Sequence, residues 1–213
     1  MTPASQSGRT RVLCGCIPVI PVLTLRDAAW AEPLARTLAA AGLSVLEVTL
    51  RSDAALPAIR AMAQVPGVQI GAGTVLTPED AFRAREAGAT FAVSPGLTDR
   101  LISACEDAAL PLLPGVATAS EAMIAAEHGF DMLKFFPAEP AGGVPLLKAL
   151  HGPLPHLAFC PTGGIGPHNA RSYLALPNVS CVGGSWIAPE PLMARGDWDA
   201  IGTLARDAAE LAA

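Results

Sequence analysis

Two lysines, Lys134 and Lys148, stand against twelve arginines in this chain of 213 residues. Lys148 falls in a helical pattern, where its ammonium can stay in water. Lys134 falls in Met132-Leu133-Lys134-Phe135-Phe136, a run that reads as a buried strand. A buried ammonium is costly unless it is paired or loses its proton. Lys134 is therefore either half of a structural ion pair or an amine whose pKa desolvation lowers, a nucleophile toward carbonyls. A second misfit is Glu47 in Val45-Leu46-Glu47-Val48-Thr49-Leu50-Arg51. Strand alternation puts Val45, Glu47 and Thr49 on one face. If the extended backbone persists, Arg51 shares that side, about 13 Å further along. Glu47 is then a counter-ion to Lys134 or Arg51, a role compatible with moving protons.

Glycines close several of the apolar runs: Gly71-Ala72-Gly73-Thr74, Ser94-Pro95-Gly96, Thr162-Gly163-Gly164-Ile165-Gly166 and Gly183-Gly184-Ser185. Tight turns alone would call for them, but glycine also lets backbone N–H groups approach an anion closely. The last two stretches lie where α/β barrels hold phosphate. The scattered histidines, His128, His151, His156 and His168, have no metal-ligand spacing. Cys14 and Cys16 form a C-x-C without a partner pair, and the five cysteines read as buried free thiols. Glu79, Asp80, Glu121 and Glu127 fit solvated helix faces. Neither a metal nor another cofactor is expected.

These groups need a scaffold, and the composition bounds it. The chain is 51% hydrophobic, 15% charged and 5% aromatic, with a net charge of −5. That excludes a disordered chain and argues against nucleic acid. Gly, Pro and polar residues interrupt every long uncharged stretch, so no membrane span is expected. The first eleven residues lack the apolar core of a signal peptide, and the default compartment is the cytoplasm. Short apolar runs centre on Val19–Leu23, Val45–Thr49, Val68–Gly71, Phe91–Ser94, Leu110–Leu113, Met132–Phe135, Leu157–Cys160 and Val179–Val182, separated by amphipathic helical patterns. Gly42, Gly88 and Gly129 read as helix stops, and Thr77-Pro78-Glu79-Asp80 as a helix start. Eight such units predict a single (β/α)8 TIM barrel over residues 11–213, after a loose tail over residues 1–10. The competing architecture is an open doubly wound sheet; no G-x-G-x-x-G follows the first strand to support its dinucleotide-binding form. In a barrel the functional groups should sit at the C-terminal ends of the strands.

Five segments in order, Leu46-Glu47-Val48-Thr49-Leu50-Arg51, Gly71-Ala72-Gly73-Thr74-Val75-Leu76, Ser94-Pro95-Gly96, Lys134-Phe135-Phe136-Pro137-Ala138 and Pro161-Thr162-Gly163-Gly164, resemble the 2-keto-3-deoxy-6-phosphogluconate (KDPG) aldolase / 4-hydroxy-2-oxoglutarate aldolase family. The resemblance runs from about Ile17 to Ala188. It implies a class I aldolase that needs no cofactor, forms a homotrimer and serves the Entner-Doudoroff pathway. KDPG would be cleaved to pyruvate and D-glyceraldehyde 3-phosphate, and 4-hydroxy-2-oxoglutarate to pyruvate and glyoxylate. By the same resemblance Lys134 forms the Schiff base and Glu47 is the general acid and base. Arg51 and Thr74 hold the substrate carboxylate, while Pro95 and Phe136 shape the pyruvate pocket. Gly163, Gly164 and Ser185 contact phosphate, and Thr162 lies near the aldehyde-half hydroxyls. Three rivals stand beside this reading: an aldolase for the galactonate epimer, a phosphate-binding isomerase or synthase barrel, and a catalytically silent barrel.

Overall fold

The computed structural model describes residues 1–211. Strands and helices alternate along the chain, and every strand pairing is parallel. One sheet has six strands in the order β5-β4-β3-β2-β1-β9, formed by β1 (Val19–Leu23), β2 (Val45–Thr49), β3 (Gln69–Gly73), β4 (Phe91–Val93), β5 (Leu112–Leu113) and β9 (Val182–Gly184). The other has three, β6 (Gly115–Val116), β7 (Met132–Phe135) and β8 (Ala158–Pro161), with β7 in the middle. All five residues of β2 and all four of β7 are buried, as expected of parallel strands covered on both faces.

This corrects the expected closed eight-stranded barrel: the six strands make a parallel half-barrel, and the ladder is open at two places. The first is Pro114, which directly follows the fifth apolar run and separates β5 from β6. Leu113 pairs with Val93 on one side and Gly115 with Lys134 on the other, but Pro114 has no N–H to carry the ladder through. Its carbonyl instead accepts from Lys134 N at 2.8 Å. The second lies between β8 and β9, where no ladder forms and only the isolated bridges Phe159↔Val179, ahead of β9, and Thr162↔Gly183, beyond β8, link the two edges. The eighth apolar run is also displaced, because its regular pairing begins only at Val182.

The helix signals hold. Gly42, Gly88 and Gly129 have φ of 93°, 101° and 97°, each just past a helix: α2 (Ala31–Ala40), α4 (Pro78–Glu86) and α6 (Ala119–Glu127). Thr77 and Thr118 close reciprocal capping boxes with Asp80 and Glu121.

The first residues depart from the expected loose tail. Pro3–Gly15 form helix α1, capped by Thr2 and with Pro3 in its first turn. Its buried face is polar, carrying Gln6, Ser7 and Thr10 beside Cys14. Gln6 Oε1 accepts from Leu112 N (3.0 Å). Ser7 Oγ donates to Asp131 Oδ1 (2.6 Å) and accepts from the backbone N–H groups of Asp131 and Met132 (2.9 Å each). Arg11 pairs with Asp131 at 3.0 Å. The helix thus docks on the starts of β5 and β7 through hydrogen bonds, which hydrophobic periodicity does not register. Among the described residues no helix is long and apolar enough to cross a membrane.

Candidate active site

Glu47 lies in the middle of β2 and Lys134 in β7, on different sheets, yet their side chains meet. Lys134 Nζ donates to Glu47 Oε1 at 3.3 Å, and the two residues are only 5% and 4% exposed. The ammonium also sits 5.3 Å from the centroid of the Phe136 ring. Small residues make this meeting possible. Glu47 is in register with Gly71 on β3, and a Cβ on Gly73 would run into the Glu47 carboxylate. A Cβ on Gly71 would run into the Phe91 ring. These two glycines therefore provide clearance. Lys134 is in register with Gly115, where a Cβ would strike the backbone of Ser94 and Pro95. Pro95 is thus held against the lysine's neighbouring strand.

The remaining candidates follow strand ends, as a parallel α/β architecture requires. Thr74 follows β3, Phe136 follows β7, Thr162 follows β8 and Ser185 follows β9, while Pro95 is two residues beyond β4. Arg51 differs from the sequence expectation. The extended backbone ends at Thr49, and Arg51 N turns back to the Thr49 carbonyl (2.8 Å). Arg51 is exposed, and its Nε donates to Thr74 Oγ1 at 3.0 Å. Thr74 adopts φ 59°, a left-handed conformation that is costly for a β-branched residue and typical of functional loops.

At the opposite side Thr162 is buried and packs over Gly183, across the bridge that joins β8 to β9. Gly163 and Gly164 follow with φ of 104° and 77°. Asn169, which no sequence motif marked, fixes this turn: its Oδ1 accepts from Gly166 N (2.8 Å) and its Nδ2 donates to the Gly164 carbonyl (3.1 Å). The turn leads to the short helix α8 (Ala170–Leu174). Ser185 is exposed beyond β9.

Four of the five thiols, those of Cys14, Cys105, Cys160 and Cys181, are buried, and Cys16 is exposed. Cys160 is the cross-strand neighbour of Lys134 on β8. Burial pushes the Cys105 thiol up to about 12. Among the described residues no group of three or more His, Cys, Asp and Glu has the arrangement of a metal site.

The arrangement supplies a buried amine with a carboxylate at hydrogen-bond distance, a cation–hydroxyl pair just past the ends of β2 and β3, and a glycine turn past the end of β8. An amine so placed can attack a carbonyl carbon while the carboxylate takes and returns protons.

Comparison with known proteins gives one consistent picture. The family model described as KDPG and KHG aldolase matches residues 12–204. The KHG/KDPG aldolase of Escherichia coli K12 is 50% identical over 194 residues, covering 91% of this chain and 91% of that protein. The 2-dehydro-3-deoxy-phosphogluconate aldolase of Pseudomonas aeruginosa is 48% identical over 206 residues, covering 96% and 94%. Among solved structures, the KDPG aldolase of Legionella pneumophila, with pyruvate captured at low pH as a covalent carbinolamine intermediate, aligns with a TM-score of 0.90 at 44% identity, covering 98% of both chains.

Proposed function

We infer the reaction from a plain premise: the chain belongs to the KDPG and KHG aldolase family and is a lyase. It is a class I aldolase that cleaves KDPG to pyruvate and D-glyceraldehyde 3-phosphate. One observation carries the assignment of roles, the buried contact of 3.3 Å between Lys134 and Glu47 at the heart of the strands. Glu47 takes a proton from the ammonium, and the freed amine attacks C2 of the keto acid. Glu47 gives that proton to the carbinolamine hydroxyl, which leaves as water, so a protonated imine forms and Glu47 is a carboxylate again. Glu47 then removes the proton of the C4 hydroxyl, the C3–C4 bond breaks, and its electrons move to the imine as an enamine. The aldehyde leaves, Glu47 returns its proton to C3 of the enamine, and water hydrolyses the resulting imine to release pyruvate and the lysine. The protonated imine is the electron sink, so this chemistry calls for no metal.

Arg51, held by Thr74 Oγ1, faces the substrate carboxylate in this reading. Pro95 and Phe136 wall the pyruvate half. Thr162 serves the hydroxyls of the aldehyde half, and Gly163, Gly164 and Ser185 the phosphate. Cleavage of 4-hydroxy-2-oxoglutarate to pyruvate and glyoxylate uses the same Lys134 and Glu47 without the phosphate contacts. Gluconate rather than galactonate stereochemistry is supported by the names of relatives at about half identity.

The chain acts as a homotrimer in the cytoplasm. Exposed apolar side chains of Leu76, Phe82, Met123 and Ile124 support self-association. Leu76 and Ile124 line one cleft of about 310 Å³ with Pro95 and Leu97. The buried free thiols fit a reducing compartment.

The test of the reading is turnover of KDPG by Lys134→Ala. The account expects a folded protein that releases no pyruvate; release at the wild-type rate would end the Schiff-base assignment.

A further inference from the structure

We propose that Glu139 and Tyr173 form a brace that sets the Gly163-Gly164 turn for the phosphorylated end of the substrate, making Glu139 a positioning residue for the aldehyde half alone. The inference rests on the aldolase reading above and deepens it.

Glu139 lies in the segment that follows β7, five residues after Lys134. The pairing of β7 with β8 continues past the strand ends through two further hydrogen bonds. Ala138 N donates to the Thr162 carbonyl (2.8 Å) and Glu139 N to the Gly163 carbonyl (3.1 Å). The Glu139 side chain then crosses directly over Gly164, where an added Cβ would lie 2.7 Å from Glu139 Cγ. Its carboxylate accepts the hydroxyl hydrogen of Tyr173, whose buried ring belongs to α8. The same pair also abuts Gly143, at the start of α7 (Gly143–His151): a Cβ there would lie 3.1 Å from Tyr173 Oη and 3.4 Å from Glu139 Oε1. One side chain therefore ties the loop after β7 to α8 through Tyr173, lies over the turn after β8 and comes close to the first residue of α7.

The turn has reason to need this. Two successive glycines at positive φ carry the largest conformational entropy of any dipeptide, and a free turn of that kind would pay it on binding. Bracing it beforehand moves the cost into folding, so the bound phosphate meets backbone groups already in place. A carboxylate beside an anion site is otherwise repulsive. Its presence is explained if the acceptor role toward Tyr173 is what matters. Burial, and then the hydrogen bond and charge of Glu139, push the Tyr173 hydroxyl up, so it stays a donor across the working pH range.

The aldol direction tests this with both halves in one reaction, since pyruvate and D-glyceraldehyde 3-phosphate have separate KM values. Glu139→Ala and Tyr173→Phe should each raise the KM for D-glyceraldehyde 3-phosphate roughly tenfold, the size expected for a hydrogen bond to a charged group. The KM for pyruvate and its capture on Lys134 by borohydride should stay within about twofold of wild type. Glu139→Gln, which keeps an acceptor oxygen, should remain close to wild type for both substrates. Tyr173→Phe preserves the buried ring and carries the test alone if the alanine variant does not fold. Equal rises in both KM values, or none in either, would overturn the brace. Wild-type protein that captures no pyruvate would instead overturn the aldolase reading beneath it.

Discussion

Replacing Gly73 by alanine should cost activity out of proportion to stability. Gly73 sits on β3 in register with Thr49, and its missing side chain leaves the space that the Glu47 carboxylate fills. An added Cβ would lie 2.7 Å from both Glu47 Cγ and Cδ, and closer still to Oε1. Ordinary carbon contacts need ~3.4 Å or more, so the carboxylate must retreat by at least ~0.7 Å. Its contact with Lys134 is already 3.3 Å long, so a displacement of that size disturbs the contact. A misplacement of about 1 Å can cost on the order of 10²-fold in rate, whereas overpacking a core costs about 1–3 kcal/mol. In a domain of this size each kcal/mol lowers Tm by about 2–4 °C. Gly73→Ala should therefore lose on the order of 10²-fold in kcat with a Tm drop of about 2–12 °C. Gly71→Ala is the control, because its Cβ collides with Phe91 rather than with Glu47. It should lower Tm comparably and keep far more of its turnover. Pyruvate release and thermal melts on the two variants decide the matter. Wild-type kcat in Gly73→Ala, or equal loss of kcat in both variants, would refute the reasoning.

Glu47→Gln should still form the imine, with water taking the ammonium proton in place of the carboxylate, but turn over about 10²–10⁴-fold more slowly, the usual worth of general acid–base catalysis; steady-state rates beside borohydride capture separate the two effects. At the base of the fold, burial works to raise the Asp131 carboxyl, but hydrogen bonds from Ser7 and Arg11 outweigh it and hold it below 3.8. The contribution of this contact to stability is therefore present above about pH 3.8 and is lost as pH falls through the lower folded value. Ser7→Ala should move the carboxyl midpoint of Asp131 upward in an NMR titration, and an unmoved midpoint would contradict the contact. Ile124→Asp places a charge on the exposed apolar surface and should dissociate the proposed trimer, as read by light scattering; a variant that still runs as a trimer would exclude that surface from the contact.

The central pair of the candidate site was legible because its chemistry violates its surroundings. Lys134 and Glu47 interrupt strands that are otherwise apolar, and the structure brings these two side chains into contact. Helix ends were legible for a similar reason, since Gly42, Gly88 and Gly129 mark backbone that other residues resist. What escaped depends on long-range geometry or on polar packing. Barrel closure fails at Pro114 because one residue lacks a donor between β5 and β6, just past the fifth apolar run, and at β8–β9 because the eighth run pairs late. Helix α1 escaped because its buried face carries Gln6, Ser7 and Thr10, of which Gln6 and Ser7 hydrogen-bond to strand starts more than a hundred residues away. Arg51 escaped because alternation assumes an extended backbone, and the chain turns at Thr49. Gly71 and Gly73 were visible as loop glycines, but their job is clearance for Phe91 and Glu47.

The central claim is that Lys134 carries the substrate, and the most direct measurement is reduction with borohydride in the presence of pyruvate, followed by intact mass and peptide mapping. With only two lysines in the chain, the map is unambiguous. The account predicts one reduced pyruvyl adduct, on Lys134, with Lys148 unmodified. A folded, pyruvate-saturated protein with no adduct, or with its adduct on Lys148, would reduce Lys134 to the cation of a buried ion pair and contradict the mechanism.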